Sequence, residues 1–358
     1  GYRQFPANLS FEWYGPLHHC IAWPLHLFPV DEPISPSWIL KNFPEVSGDR
    51  IGECLGYHHT LQEALELCSD MSRTWQKGID ILESLRAEYV DNPPRLADMN
   101  LARAIGLQMK STVNLLAFYS LREDMLYFRH DHLAEMKAIV LDEIANSQAM
   151  RDLCLKDSRL GYHSEAEGYL FFPEKLNARI QLLQELLEKD FPRFDLNAQW
   201  IDQYTGAKPS GTVAECHRRG SVPETPHAMS ENQSWSASYD DSCLYLTIHG
   251  VRNSDFAVVI EPCRLWTPFR INFLQGENYV YSGVFREMPE PDIQWCGDTL
   301  LLAIPLNLFD GFRRSGFPMR LNIFSKEEHF HWVDPKLWPA RLQHGDFNPA
   351  GTGWLVFA

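Results

Sequence analysis

Aromatic and hydrogen-bonding side chains are mixed over residues 235–358, and this combination can hold a sugar. The apolar face of a pyranose stacks on an aromatic ring while polar side chains bond its hydroxyl groups. The candidates for such binding are Trp266, Trp295, Trp332, Trp338, Tyr279, Arg270, Asn272 and Glu277. The alternative for each ring is packing at the ends of a domain core. We therefore predict binding for the group rather than for any single tryptophan.

A second polar cluster lies at residues 157–169. Carboxylates two residues apart can lie on one side of an extended loop, where a neighbouring cation or imidazole tunes their protonation. Glu165 and Glu167, with His163, are therefore candidates for acid–base catalysis, and a hydrogen-bonded interhelical connection is the alternative. We prefer a loop that lines a substrate site formed elsewhere. Its lining residues would be Arg159, Tyr162, His163, Glu165 and Glu167.

Other patterns argue against several kinds of chemistry. Histidines are adjacent at 18–19 and at 58–59, where they point in different directions, and the eight cysteines include no C-x-x-C pair. We therefore expect no metal site. The chain has no nucleotide-binding glycine motif and no G-x-S-x-G elbow, so we also expect no cofactor. Scattered cysteines among apolar neighbours indicate reduced thiols, which, with no leader pattern visible, favour a cytoplasmic location.

Composition and charge limit the partners. The 358 residues are 45% hydrophobic, which suits two or three folded domains. A formal net charge of −15 argues against nucleic acid. The sequence has no run of about 18 apolar residues, which argues against a membrane partner. Oligomerisation stays open.

Helical periodicity dominates residues 58–192. A capping box at Thr60–Glu63 begins a helix, and the prolines within Asp91–Pro94 separate it from a second. Asp131 can cap a third helix, and Pro173 suits the first turn of a fourth. Four amphipathic helices with short connections predict an up-and-down four-helix bundle.

The segments that flank these helices differ from them in composition. Residues 1–57 are rich in Pro, Trp and His, and we interpret them as an irregular arm or as the end of a preceding domain. Residues 193–232 form a polar connector. Residues 233–358 contain short strand-like runs separated by turn residues, which predict a C-terminal antiparallel β-sandwich. The chain is therefore predicted to be a multidomain α+β protein.

The strand candidates alternate apolar and polar residues or are continuously apolar. They are Leu244–Ile248, Phe256–Ile260, Arg270–Phe273, Tyr279–Tyr281, Leu300–Ile304, Arg320–Phe324 and Trp354–Phe357.

The C-terminal third resembles a known family. The segments Trp235–Ile248, Thr299–Pro305 and Gly345–Pro349 with Gly353–Leu355 are similar, in this order, to family 9 carbohydrate-binding modules and their relatives. The resemblance implies a β-sandwich that binds an oligosaccharide or glycan. The opening strand of such modules, with its Asp-Gly element, is not evident over residues 212–230.

A second, looser resemblance concerns the helical region. Asp157–Tyr169 and Phe171–Leu176 look like the bundle that follows the catalytic barrel in large glycoside-hydrolase-like proteins of the α-glucuronidase kind. The resemblance implies a preceding catalytic domain as a partner, with residues 1–57 as its end or an arm from it. The catalytic acids of that barrel have no counterpart in this sequence.

These patterns together favour an accessory, carbohydrate-binding region of a glycoside-hydrolase-like protein that lacks the main catalytic barrel. Two alternatives stay open. One is a structural or oligomerisation module without a ligand, and the other is a self-contained glycoside hydrolase that uses Glu165 and Glu167.

Overall fold

The chain consists of a helical unit, Gly1–Ala198, and a β unit, Gln199–Ala358. A computed structural model describes the following residues: 20–30, 49, 61–163, 168–197, 212–261, 269–274, 278–282, 291–306, 318–325, 329–334 and 351–358. The division into helices followed by strands agrees with the predicted α+β class. The finer boundaries of arm, bundle and connector stay predictions.

The described part of the helical unit contains four helices of two turns or more. They are α1 Leu61–Ser84, α2 Pro93–Phe128, α3 Leu133–Cys154 and α4 Pro173–Glu185. A π-helical turn at Leu186–Asp190 and a last turn at Phe191–Arg193 extend α4. Each helix packs against the next along the chain. No described helix is both long enough and apolar enough to cross a membrane.

Side-chain acceptors satisfy backbone amides at the start of two helices. The Asn92 side chain accepts a hydrogen bond of 3.2 Å from the Arg95 backbone N–H, and two prolines occupy the first turn of α2. Asp131 Oδ1 accepts a bond of 3.0 Å from the Leu133 N–H at the start of α3. A side-chain acceptor satisfies an amide that has no partner within the helix. The predicted cap at Thr60 lies outside the described residues.

Residues 20–30, the longest described part of the predicted arm, pack against the helices. Ile21 and Ala22 join a buried cluster with Ala104, Met150 and Leu176. Two buried arginines bond carbonyl groups of the same segment. Arg179 Nε donates to Trp23 O over 2.8 Å, and Arg122 Nη1 donates to His26 O over 2.9 Å. These bonds fix an irregular segment whose backbone groups no regular element satisfies.

A short hairpin lies between α3 and α4, where the sequence analysis predicted a loop. Its strands are β1 Tyr162–His163 and β2 Gly168–Tyr169, paired antiparallel.

The β unit contains the predicted strands and several further ones. The described strands are β3 Val213–Arg218, β4 His227–Ala228, β5 Ser234–Tyr239, β6 Cys243–His249, β7 Phe256–Glu261, β8 Phe269–Leu274, β9 Asn278–Ser282, β10 Asp292–Cys296, β11 Thr299–Pro305, β12 Pro318–Ser325 and β13 Gly353–Phe357. The expectation that residues 212–230 lack a strand is wrong, because β3 alternates exposed and buried residues at its start and pairs on both edges.

All these strands belong to one sheet of mixed direction. Its order is β10-β11-β6-β5-β3-β13-β12-β7-β8-β9, with β4 paired beside β5. The prediction of a purely antiparallel arrangement is wrong, since β3 runs parallel to both β13 and β5. The first four residues of β3 pair with β13 and its last two with β5, so this strand joins the two halves of the sheet.

The sheet curls so that apolar side chains of both halves share a core. Leu244, Leu246 and Ile248 are buried on one face of β6. The ring of Phe273 on β8 lies 6.4 Å from that of Trp295 on β10, although these strands are near opposite ends of the sheet order. A right-handed twist accumulated over many strands produces such curling.

Candidate functional site

Charged and amide side chains occupy one face of strands β7, β8, β12 and β13. The strand register aligns three rows across this face: Arg270, Val259 and Asn322; Asn272, Ala257 and Phe324; and Glu261, Arg320 and Trp354. Directly paired residues project to the same side of a sheet. We call this surface the polar face and define it by Glu261, Arg270, Asn272, Arg320 and Asn322, with the rings of Phe324 and Trp354.

Arg270 and Asn272 form the half-buried part of the polar face. Arg270 Nε donates a hydrogen bond of 2.8 Å to Asn272 Oδ1, and the guanidinium lies 5.5 Å from the centre of the Phe324 ring. The bond orients both side chains beside an aromatic surface. A guanidinium and an amide next to a ring provide donors, acceptors and apolar contact at one place, which a polyhydroxylated ligand requires.

Arg320 and Glu261 form the buried part of the polar face. Both are 2% exposed and stand opposite each other in the strand register. The Arg320 guanidinium also lies 3.8 Å from the centre of the Trp354 ring, close enough for a strong cation–π contact. Burial of the two charges is tolerable because each has a charged or aromatic neighbour. Two buried charged side chains, one of them against the Trp354 ring, therefore lie beside the half-buried part of the polar face.

The Asn322 side chain stabilises the fold and is not available to bind a ligand. Its Nδ2 donates to Val333 O over 2.9 Å and to Gly351 O over 2.7 Å. Its Oδ1 accepts from Ile323 N over 2.8 Å and from Val333 N over 3.1 Å. Both Nδ2 hydrogens and both Oδ1 lone pairs are used, so this amide fixes the backbone on either side.

Of the predicted aromatic residues, the two whose rings the structure describes, Trp295 and Trp332, do not lie on the polar face. Trp332 is buried in the core with its ring 4.7 Å from Trp235. Trp295 is half-buried, and the Arg252 guanidinium lies 4.7 Å from the centre of its ring. Tyr279 lies in β9, where its backbone pairs with Phe273. The remaining candidates in this unit, Trp266, Trp338 and Glu277, lie outside the described residues.

An imidazole completes the aromatic cluster around Trp332. The His227 ring lies 4.8 Å from the Trp235 ring and 6.2 Å from that of Trp332. Within the described part of the chain, neither the buried His227 Nε2 nor Trp235 Nε1 has a hydrogen-bond partner. Burial lowers the pKa of His227, so the neutral imidazole is the form that the core favours.

The predicted substrate-lining loop is partly described. Tyr162 and Tyr169 are 54% and 49% exposed, and their rings meet edge to face at 5.4 Å. The exposed Arg159 bonds Asp157 over 2.6 Å, and this pairing lowers the pKa of Asp157 to about 2. Asp157 is therefore ionised at neutral pH and does not suit a general acid. His163 contributes its backbone to β1, while Glu165 and Glu167 lie outside the described residues.

The described part of the helical unit buries three carboxylates, Asp49, Glu123 and Glu143, and each contacts an arginine. Arg122 contacts Asp49 and Glu123, each over 2.5 Å, and Arg179 contacts Glu143 over 2.7 Å. Glu143 also accepts hydrogen bonds from Ser111 and Asn114. Solvent-excluded carboxylates that contact arginine have no access to a substrate, so this network holds the helices together. It was not predicted from the sequence, because the polar residues lie within otherwise apolar helical stripes.

Comparisons with known proteins identify no family for the chain. No family and no curated protein matches it. Two solved structures of a family 9 carbohydrate-binding module from Caldicellulosiruptor kristjanssonii, one with glucose and one with cellotriose, are weakly similar to it. They align with 41% of this chain and with 96% and 93% of the module, at 9% identity and a TM-score of 0.30. A TM-score this low supports neither a fold assignment nor a ligand.

Proposed function

We propose that the β unit binds a carbohydrate at the polar face. The observation that carries this proposal is the half-buried Arg270–Asn272 pair beside the Phe324 ring. Sugar hydroxyls need donors and acceptors in fixed positions, and the 2.8 Å bond between the two side chains fixes both of them. Arg320, buried against the Trp354 ring, adds rigidity on β12, the strand of Phe324, and this rigidity lowers the ordering cost of binding.

The proposal extends to the whole chain as an accessory region of a glycoside-hydrolase-like protein. The resemblance of three segments to family 9 carbohydrate-binding modules supports it. The close approach of Phe273 to Trp295 supports a sandwich-like β unit, and the packing of each helix on the next supports an up-and-down bundle. In this proposal the exposed tyrosines of the β1–β2 hairpin line a substrate held by another domain.

Isothermal titration of the full chain with gluco-, xylo- and uronic-acid oligosaccharides tests the binding proposal. At least one series should bind, and Arg270→Ala should weaken that binding by about 10-fold or more, the usual effect of removing a charged hydrogen-bond donor. Arg270→Lys should recover only part of the affinity, because an ammonium lacks the planar fork of a guanidinium.

The matched control is Arg218→Ala. Arg218 lies on β3, away from the polar face, and pairs with the exposed Asp241 over 2.6 Å. Its substitution therefore removes the same type of charge without changing the proposed site. The control should bind like the unchanged chain. Silence across all three oligosaccharide series, or equal affinity for Arg270→Ala and Arg218→Ala, contradicts the proposal.

A further inference from the structure

One carboxylate and two imidazoles converge where α2 passes into α3. Asp124 Oδ2 lies 2.8 Å from His130 Nδ1 and 2.7 Å from His132 Nε2. One ligand atom from each of the three residues lies within 4.8 Å of the other two. The adjacent histidines at 18–19 and 58–59, which the sequence makes conspicuous, do not belong to this cluster. Here the two histidines are separated by one residue in a tight turn, and the carboxylate comes from the preceding helix.

The backbone of the turn brings the three side chains together. Arg129 has φ 59° and ψ 26°, a left-handed conformation that ends α2 and that residues with a side chain rarely adopt. Its N–H bonds Met125 O over 3.0 Å, and its guanidinium bonds Leu196 O over 2.9 Å. The chain therefore turns back on the last turns of α2, where Asp124 lies.

Each imidazole is oriented by a further contact. The His130 ring stacks on that of Phe128, with centres 6.1 Å apart and planes 23° apart. His132 Nδ1 lies 2.7 Å from Glu135 Oε2. A proton on Nδ1 directed at this carboxylate leaves the lone pair of Nε2 directed at the cluster. Metal-binding histidines commonly have such a carboxylate partner on the opposite nitrogen.

We propose that Asp124, His130 and His132 bind a divalent transition-metal ion, with zinc as the ion that fits best. Two imidazole nitrogens and one carboxylate oxygen form a donor set typical of zinc, whereas calcium and magnesium prefer oxygen alone. The side chains of Asp124, His130 and His132 are 34%, 65% and 23% exposed, so the ion can enter from solvent. A fourth position is left for water.

The required rearrangement is small. Metal–ligand bonds of about 2.1 Å in a tetrahedron separate the ligand atoms by about 3.4 Å. The observed separations of 2.7 and 2.8 Å to Asp124 therefore need to open by about 0.6–0.7 Å, which rotation of partly exposed side chains can supply. The alternative is a cluster of hydrogen bonds that joins the two helices without a metal, and it predicts no zinc affinity.

Titration of the chelator-treated full chain with zinc alone tests the proposal. We expect one zinc ion per chain at this site, lost in Asp124→Asn and in His130→Gln. Glu135→Gln should weaken binding by about 10- to 100-fold, because it removes the partner that orients His132. The matched control is His217→Gln in the β unit, where a histidine lies 3.4 Å from the single carboxylate of Glu215. It should bind zinc as the unchanged chain does.

Cys296 is exposed and could also bind a metal ion. Replacing zinc by cobalt distinguishes the two sites, because cobalt absorbs differently when a thiolate is among its ligands. Nitrogen and oxygen ligands give tetrahedral cobalt bands without thiolate charge transfer. At a free zinc concentration of about 100 times Kd, the melting temperature of the helical unit should rise by about 5 °C or more, and Asp124→Asn should abolish that rise. Circular dichroism of the metal-free variants checks that they fold.

Three results overturn the proposal: no zinc binding, zinc binding of equal strength in the Asp124→Asn and His130→Gln variants, or a cobalt spectrum dominated by thiolate bands. The Asp124→Asn and His130→Gln variants decide the question, because neither side chain is buried and both variants should therefore fold.

Discussion

Two single residues, Arg122 and Arg179, attach residues 20–30 to the helices. Each is fully or almost fully buried, contacts at least one carboxylate and donates to a carbonyl of residues 20–30. Removing one member of such a pair leaves a buried charge uncompensated, which typically costs about 3–5 kcal/mol. These arginines therefore explain how an irregular, proline-containing segment stays attached to a helical core.

His227 allows a test of pH dependence at the same scale. Its folded-state pKa is lowered by burial, whereas in the unfolded chain it has the usual value of about 6.5. As pH falls below about 6.5 the unfolded state takes up a proton that the folded state resists, so stability decreases. Above that pH the imidazole is neutral in both states and has no such effect.

We expect His227→Phe to reduce the loss of stability between about pH 8 and pH 5.5, because the phenyl ring keeps the contact with Trp235 and cannot be protonated. Urea unfolding of the β unit, followed by tryptophan fluorescence at both pH values, measures the change. The prediction is wrong if the two chains lose equal free energy over this interval.

At the scale of elements, the turn between β6 and β7 depends on Gly250. Its φ is +74°, and a Cβ atom there would lie 2.4 Å from Asn232 O. Gly220 has a similar φ of +80° with nothing within 4 Å of a Cβ. Alanine at position 220 therefore measures the cost of the left-handed backbone alone, and alanine at position 250 measures that cost together with a steric clash.

Gly220→Ala should lower the free energy of unfolding by about 1–2 kcal/mol, the penalty of the left-handed conformation alone. Gly250→Ala should lower it by about 3 kcal/mol or more, because the backbone carbonyl of Asn232 must also shift. Denaturant unfolding of both variants under one set of conditions measures the difference. Equal losses of unfolding free energy in the two variants would contradict the prediction, because the turn at residue 250 would then accommodate the Cβ atom without cost.

The elements that the sequence predicts best are those with a long, regular pattern. In residues 244–248 buried apolar side chains alternate with Tyr245 and Thr247, residues 300–304 are continuously apolar, and both runs form strands. Helix α4 begins at Pro173, as its fixed φ predicts. The parallel pairing of β3 with β13 and β5 was not predictable, because partners 141 and 21 residues away leave no local signal. The contact between Asp124 and His132 was not predictable either, because it depends on the left-handed backbone conformation of Arg129 between them.

The polar face was only partly predictable for a related reason. Arg270 and Asn272 are two residues apart on one strand, so a period of two places them together. Glu261, Arg320 and Trp354 meet only through strand register, and tryptophan abundance alone did not distinguish a core ring such as Trp332 from a surface one.

At the scale of the whole molecule, the helical unit and the β unit each have their own core. All described strand pairs of the large sheet lie within Gln199–Ala358, and the buried arginine network lies within Gly1–Ala198. A unit that satisfies its own backbone groups and buries its own apolar residues can fold alone. We therefore expect residues 1–198 and 199–358, expressed separately, to fold.

The far-ultraviolet circular dichroism of the two fragments should add up to that of the full chain, and each should unfold cooperatively in urea. The control is the fragment 219–358, which lacks only β3 and the residues before it. Because β3 joins β13 to β5, its removal leaves the two halves of the sheet without their hydrogen-bonded connection, and this fragment should be unstable or aggregate. If 219–358 is as stable as 199–358, β3 is an appended edge and not the strand that holds the sheet together. If 199–358 itself fails to fold, the β unit depends on the helical unit, and its binding must then be studied only in the full chain.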